Sequence, residues 1–224
     1  MISDLKLGFR MLRYGHGLKS NLIGGILMLA AGFFLQGVTI LSNGDMPNPG
    51  SIFLLIGAMF PIQIIYSLSV SNLIQASPAK KRMQTSVPAV ISGSCMLALY
   101  LIHVLISAAI TAVQPQRLQY TCNQTVGLAF FAVCLMLYMA VCYKYFWVSF
   151  ILFFAVYNYT YYSTTYSGTL SFGFRESRIS LLLAAVTGIV IIIAGGFLQY
   201  GLSCLVYKAP MSKRAQGNML RKTM

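Results

Sequence analysis

The chain has 224 residues, 58% of them hydrophobic and only 8% charged, against about 25% charged in an ordinary soluble domain. Sixteen Lys and Arg face three acids, Asp4, Asp45 and Glu176, for a net charge of +13. So few carboxylates leave no pair for general acid–base chemistry and none inside an apolar run to bind a metal or relay a proton, which disfavours an enzyme or an ion-coupled carrier. A soluble nucleic-acid binder gathers its charge on a folded surface. Here the bases cluster between apolar segments, where anionic lipid and membrane topology account for them.

Residues 1–19 carry Lys6, Arg10, Arg13 and Lys19 throughout, so they do not read as a cleavable signal peptide. At helical spacing Ile2, Leu5, Phe9 and Leu12 form one apolar stripe, and Leu7, Met11, Tyr14 and Leu18 another. With bases between the stripes, the segment predicts an amphipathic helix lying in the membrane interface. Apolar runs follow at Leu22–Leu41, Ser51–Ser71, Val87–Val113, Val126–Tyr143, Tyr145–Tyr162 and Ile179–Tyr207. Runs of about 18 or more residues suffice to cross a membrane.

The connections carry the topology. The turn at 42–50, SNGDMPNPG, has an acid and no base, whereas 71–86 carries Lys80, Lys81 and Arg82. Only Lys144 separates the fourth run from the fifth. Read as one helix, Val126–Tyr157 would extend about 48 Å, well beyond a hydrocarbon core of about 30 Å. With six spans and a cytoplasmic N-terminus, 13 bases lie inside and three (Arg117, Arg175 and Arg178) outside. That count favours six spans, both termini cytoplasmic, and an interfacial hairpin tip at Lys144. The predicted architecture is therefore all-α and polytopic. An interfacial helix at 1–19 leads into a six-helix domain at 20–207, followed by a basic tail at 208–224.

Chemistry-bearing residues are sparse. His16 and His103 are the only histidines, and five scattered cysteines (Cys95, Cys122, Cys134, Cys142, Cys204) have no C-x-x-C spacing, which suits packing better than metal or redox work. No G-x-x-x-x-G-K-[ST] sequence occurs, so the chain does not bind nucleotide through a P-loop. Polar residues inside the runs (Gln63, His103, Ser107, Thr111, Asn158 and Gln199) are expected to face other helices or a wet cavity. The Tyr-rich stretch from Tyr157 to Tyr166 suits an aromatic belt, or an outer vestibule or re-entrant segment within 161–178. The sequons at Asn123 and Asn158 carry no weight.

An interfacial N-terminal helix, six spans, a basic loop after the second span and a long outer segment between the fifth and sixth together resemble the type-2 ABC exporter permeases. The closest local match is Ser77-Pro78-Ala79-Lys80-Lys81-Arg82. Small bacterial members carry an L-P-x-[ST]-[RK]-like sequence at this place; here Ser77 stands for the leucine and Lys80 for the hydroxyl residue. The resemblance implies a permease without catalytic residues or cofactors of its own, in the inner membrane of a bacterial cell. It implies pairing with a second permease, identical or not, and with cytoplasmic ATPase subunits that bind ATP and magnesium. Ser77, Pro78, Lys80, Lys81 and Arg82 in the loop 72–86 would couple to the ATPase, with Lys6, Arg10 and Arg13 on the elbow helix. Gln63, Tyr66, Asn158 and Tyr159 would line the path for an amphipathic peptide, lipid or drug-like cargo. Membrane lipids are expected partners and nucleic acid is not. A non-transporting scaffold or assembly factor, or a passive channel or carrier, are the other readings that this composition allows.

Overall fold

A computed structural model describes residues 2–12, 18–41, 49–70, 72–142, 144–162 and 180–210. Among the described residues all regular structure is helical: α1 (Ile2–Leu12), α2 (Leu18–Leu41), α3 (Gly50–Gly57), α4 (Met59–Val70), α5 (Asn72–Gln75), α6 (Lys80–Gln84), α7 (Ser86–Val113), α8 (Leu118–Val141), α9 (Phe146–Tyr162) and α10 (Leu181–Val206), with a 3-10 turn at Pro115–Arg117. Among the described residues five helical segments are long and apolar enough to cross a membrane: Leu18–Leu41, Gly50–Ser69, Lys80–Val113, Pro115–Val141 and Leu181–Val206. Phe146–Tyr159 is a shorter apolar helix. This is the pattern of an all-helical, multi-pass membrane protein.

Two prolines explain where long helices are interrupted. Pro61 has no N–H to give the Gly57 carbonyl and its ring crowds that carbonyl. The chain accordingly turns at Ala58, between α3 and α4. Pro88 does the same toward Gln84, and α6 gives way to α7 at Thr85 (φ −122°, ψ −75°). Beyond the break Pro88 lies in the first turn of α7, where a missing donor costs little.

At the centre of the bundle lies α8, burying Leu128, Phe131, Leu135, Met136 and Met139 among Ile62, Tyr66, Met96, Tyr100 and Ile192. It turns back at Lys144 into α9, which runs antiparallel beside it: Tyr138 meets Phe153 with ring centroids 4.7 Å apart, and Phe131 meets Tyr157 at 6.4 Å. Alongside α8, α10 packs parallel to it, with Gly195 against Val133 and Ala184 in one cluster with Cys122. Antiparallel to α3–α4 runs α2, placing Leu29 beside Gly57, Gly32 beside Leu54 and Gln36 beside Gly50. Lipid tails are as apolar as the helix surfaces, so close approach at small residues supplies much of the attraction.

These directions gather charge at one end of the bundle. Of the nine Lys and Arg among the described residues, eight (Lys6, Arg10, Lys19, Lys80, Lys81, Arg82, Lys144 and Lys208) lie at the end shared by α1, α6 and the α8–α9 turn. Arg117 lies at the other. The predicted outer segment 161–178 falls mostly outside the described residues, as do Arg13, Asp45, Glu176 and most of the basic tail.

Candidate functional site: a docked N-terminal helix and the basic end of the bundle

Packed onto the bundle, α1 is more than a lead-in to the first span. Leu5 and Leu7 pack on a small core of Ile65, Ile74, Met83, Val87 and Ile91, drawn from α4, α5, α6 and α7. Gly8 is the point of closest approach: a Cβ there would stand 2.6 Å from the Ile91 side chain. Lys6, Phe9 and Arg10 face outward. Asp4, the one acid among the described residues, is ion-paired with Arg82 of α6. The elbow and the basic loop thus form one platform across the ends of α4 and α7.

Within the platform the loop is tied by its own polar groups. Val70 ends α4, and a separate turn, α5, stops at Gln75 before Pro78, whose ring disfavours helical geometry at Ser77. The Gln75 amide donates to the Ser69 carbonyl at 2.7 Å, the Ser77 hydroxyl to the Ile74 carbonyl at 3.0 Å, and the Thr85 hydroxyl to the Lys81 carbonyl at 2.8 Å. Lys81 is exposed and Lys80 half-buried. Of the predicted coupling residues, Arg82 is thus engaged within the chain, while Lys80 and Lys81 are not ion-paired with Asp4.

Beneath this platform is a polar cluster in the helix interior. The Tyr66 hydroxyl of α4 interacts with the side chains of Gln199 and Ser203 on α10. The contact is loose, since neither amide atom of Gln199 attains hydrogen-bond geometry although the residue is wholly buried. Tyr66, Ser69, Gln84, Lys144, Ser203 and Tyr207 line a cavity of about 20 Å³, roughly the room of one water molecule. Lys144 donates to the Ala209 carbonyl at 2.7 Å. Burial, and then the neighbouring Lys80, push its ammonium below the ordinary lysine pKa. The hairpin tip is therefore tied to the end of α10 and stands beside the basic loop.

A second polar layer occupies the opposite half. Gln124 of α8 donates to the Ser51 hydroxyl of α3 at 3.1 Å, and Gln114 to the Ile40 carbonyl at 3.4 Å. His103 and Ser107 pair along α7 at 3.2 Å. Gln36 is 2% exposed, with neither end of its amide hydrogen-bonded. Between the two layers the core is apolar.

The four predicted path residues separate. Tyr66 belongs to the interior cluster, and Gln63 is half-buried on the same helix. Asn158 and Tyr159 are exposed on α9, and the Asn158 amide is spent on the Phe154 carbonyl at 2.7 Å. Within one chain they do not share a lumen. Sequence reading passed over Asp4 as a loop partner. It also left Gln84, Gln124 and Ser203 unremarked, because polarity alone does not say which face of a helix a side chain occupies. Among the described residues no three His, Cys, Asp or Glu side chains are grouped to hold a metal ion.

Comparison of the chain with protein-family models, with curated proteins and with solved structures returns no match.

Proposed function

We propose that this chain is the membrane permease subunit of an ATP-driven exporter of the type-2 ABC kind. In this reading it crosses the inner membrane of a bacterial cell six times, Phe146–Tyr162 being the fifth crossing, with both termini and the basic end in the cytoplasm. A second permease completes the path, and partner ATPase subunits supply ATP and magnesium chemistry. The observation that carries the reading is the platform of α1, α5 and α6. A helix outside the spans and a hydrogen-bonded loop are joined by an ion pair and by a shared core reaching Ile65 and Ile91 of the spans. A force applied to such a platform passes into α4 and α7 as rigid bodies rather than being absorbed by a slack loop.

The composition agrees with an external drive, since no carboxylate lies in any apolar segment to harvest an ion gradient. Lys80 and Lys81 are the residues that meet acidic groups of the ATPase, and Ser77 and Pro78 shape the loop that presents them. Tyr66, Gln63 and Gln199 form the polar inner part of the path, with Asn158 and Tyr159 turned toward the second permease. An amphipathic peptide, lipid or drug-like molecule suits a path that is neutral, aromatic and hydroxylated.

The test is mild-detergent purification of the tagged chain, followed by identification of what copurifies and assay of its ATPase activity. An ATPase with Walker motifs should copurify. The double variant Lys80→Glu with Lys81→Glu, which leaves the Asp4–Arg82 pair intact, should lower export at least tenfold at normal membrane abundance. Undiminished export by that variant would sink the coupling role.

A further inference from the structure

On the outer surface of the bundle, α7 and α10 diverge to leave a groove of about 280 Å³. Val90, Gly93 and Leu97 form one wall, and Ile193, Gly196 and Phe197 the other; Ser86 and Tyr200 stand at its mouth. From Ser86 to Leu97 is eleven helical rises, on the order of 16 Å, or half of a hydrocarbon core of about 30 Å. Two glycines shape it. A Cβ on Gly93 or Gly196 would come no closer than 3.7 Å to any neighbour, the Met136 methyl in both cases. Helix packing therefore does not require a glycine at either place; what a larger residue would occupy is the groove.

The mouth opens at the basic end. The Ser86 hydroxyl donates to the Arg82 carbonyl, which joins the mouth to α6, the helix that holds Asp4 through Arg82. Asp4 is neutralised there by Arg82. Among the described residues the remaining exposed charges at this end are the cations Lys6, Arg10, Lys19, Lys81 and Lys208, with Lys208 two turns beyond Tyr200 on the same chain segment. An apolar slot one leaflet deep, open sideways to hydrocarbon and with cations at its shallow end, matches one kind of molecule.

We infer that this groove is a binding site for an anionic phospholipid of the leaflet at the basic end. One acyl chain lies along Gly93 and Gly196, and the headgroup sits among the Lys and Arg side chains at the mouth. The ammonium groups attract the phosphate and anionic headgroup, and the two glycines leave room for an acyl chain. The proposal does not depend on the transport reading, because it needs only the groove and the charge at its mouth.

The test uses the full chain in mild detergent, titrated separately with phosphatidylglycerol and phosphatidylcholine and read by native mass spectrometry. One phosphatidylglycerol should be retained with at least tenfold preference over phosphatidylcholine. Gly196→Leu should lower retention of phosphatidylglycerol at least tenfold, and Lys6→Glu with Lys81→Glu should abolish the preference. Equal retention of the two lipids, or unchanged retention by Gly196→Leu, overturns the site. So does conversion of a dimer to a monomer by Gly196→Leu with lipid binding intact, which would make the groove a contact between copies. Should Gly196→Leu fail to fold, a phosphatidylglycerol with a photoreactive acyl chain, used on the unaltered protein, gives the same decision. Crosslinks within 90–97 and 193–200 support the site, and their absence there overturns it.

Discussion

Gly188 shows how little room the interhelical contacts allow. Any side chain there would collide with the Tyr100 hydroxyl, which donates to the Ala184 carbonyl at 3.4 Å. Tyr100 is itself wholly buried in the core between α7 and α10. Gly188→Val should force that ring out of place and destabilise the protein by about 1–3 kcal/mol, the usual cost of overpacking. The control is Gly201→Ala, on the same helix with nothing within 4 Å of its added Cβ. It should be neutral or slightly stabilising, since alanine is the better helix former. Thermal denaturation in one detergent compares the two, and equal midpoints would mean that Tyr100 yields without loss. The polar residues teach a related lesson. Gln124 is as polar as Gln116 two turns earlier, yet one is buried against Ser51 and the other exposed. Composition marks both as polar; only the packing of α3 against α8 distinguishes them.

At the level of elements, α1 docks, among its described residues, through Leu5 and Leu7 in the small core, Gly8 on Ile91, and Asp4 with Arg82. Arg82 is half exposed, so the ion pair is worth about 0.2–1 kcal/mol, and its main effect is to fix register. Asp4→Arg alone places a base beside Arg82 and should loosen α1, raising the rate at which protease cuts the 13–17 connection. Combining Asp4→Arg with Arg82→Asp restores opposite charges and should return cleavage toward the original rate. If the double exchange is no better than the single one, the pair does not hold the helix. The amphipathic stripes of α1 are readable from spacing, but its seat is not, because both stripes are equally apolar, and of their described side chains on α1 Leu5 and Leu7 enter the small core while Phe9 stays exposed. The start of α8 departs from the sequence expectation for the opposite reason. The fourth apolar run reads from Val126, because Thr121, Asn123, Gln124 and Thr125 interrupt the hydropathy, whereas the helix begins at Leu118 and buries all of 121–125. Their polar atoms are met inside: Thr125 by the Thr121 carbonyl, Gln124 by Ser51. Hydropathy counts such residues as hydrated and therefore begins this span too late.

For the whole molecule, the chain path and the charge distribution constrain each other. Beginning beside the basic end at Phe146, α9 runs back along α8, and α10 begins at the opposite end, with Leu181 near Cys122. In the proposed six-span topology the positive-inside rule would put the basic end in the cytoplasm, and residues 163–179 should lie outside if α9 crosses. This is testable in a variant whose five cysteines, none in a disulfide, are replaced by alanine. Single cysteines are then placed at Ala76, Gln116, Tyr145 and Ser171, and a membrane-impermeant maleimide is applied to intact cells and to inverted vesicles. Gln116→Cys and Ser171→Cys should react in intact cells, Ala76→Cys and Tyr145→Cys only after inversion. Reaction of Ser171→Cys from the same side as Tyr145→Cys would show that Phe146–Tyr162 turns back before crossing and reduce the crossings to five. A reversed pattern at all four positions would instead put the basic platform outside, where no cytoplasmic ATPase can reach Lys80 and Lys81, and the coupling proposal would fail with it.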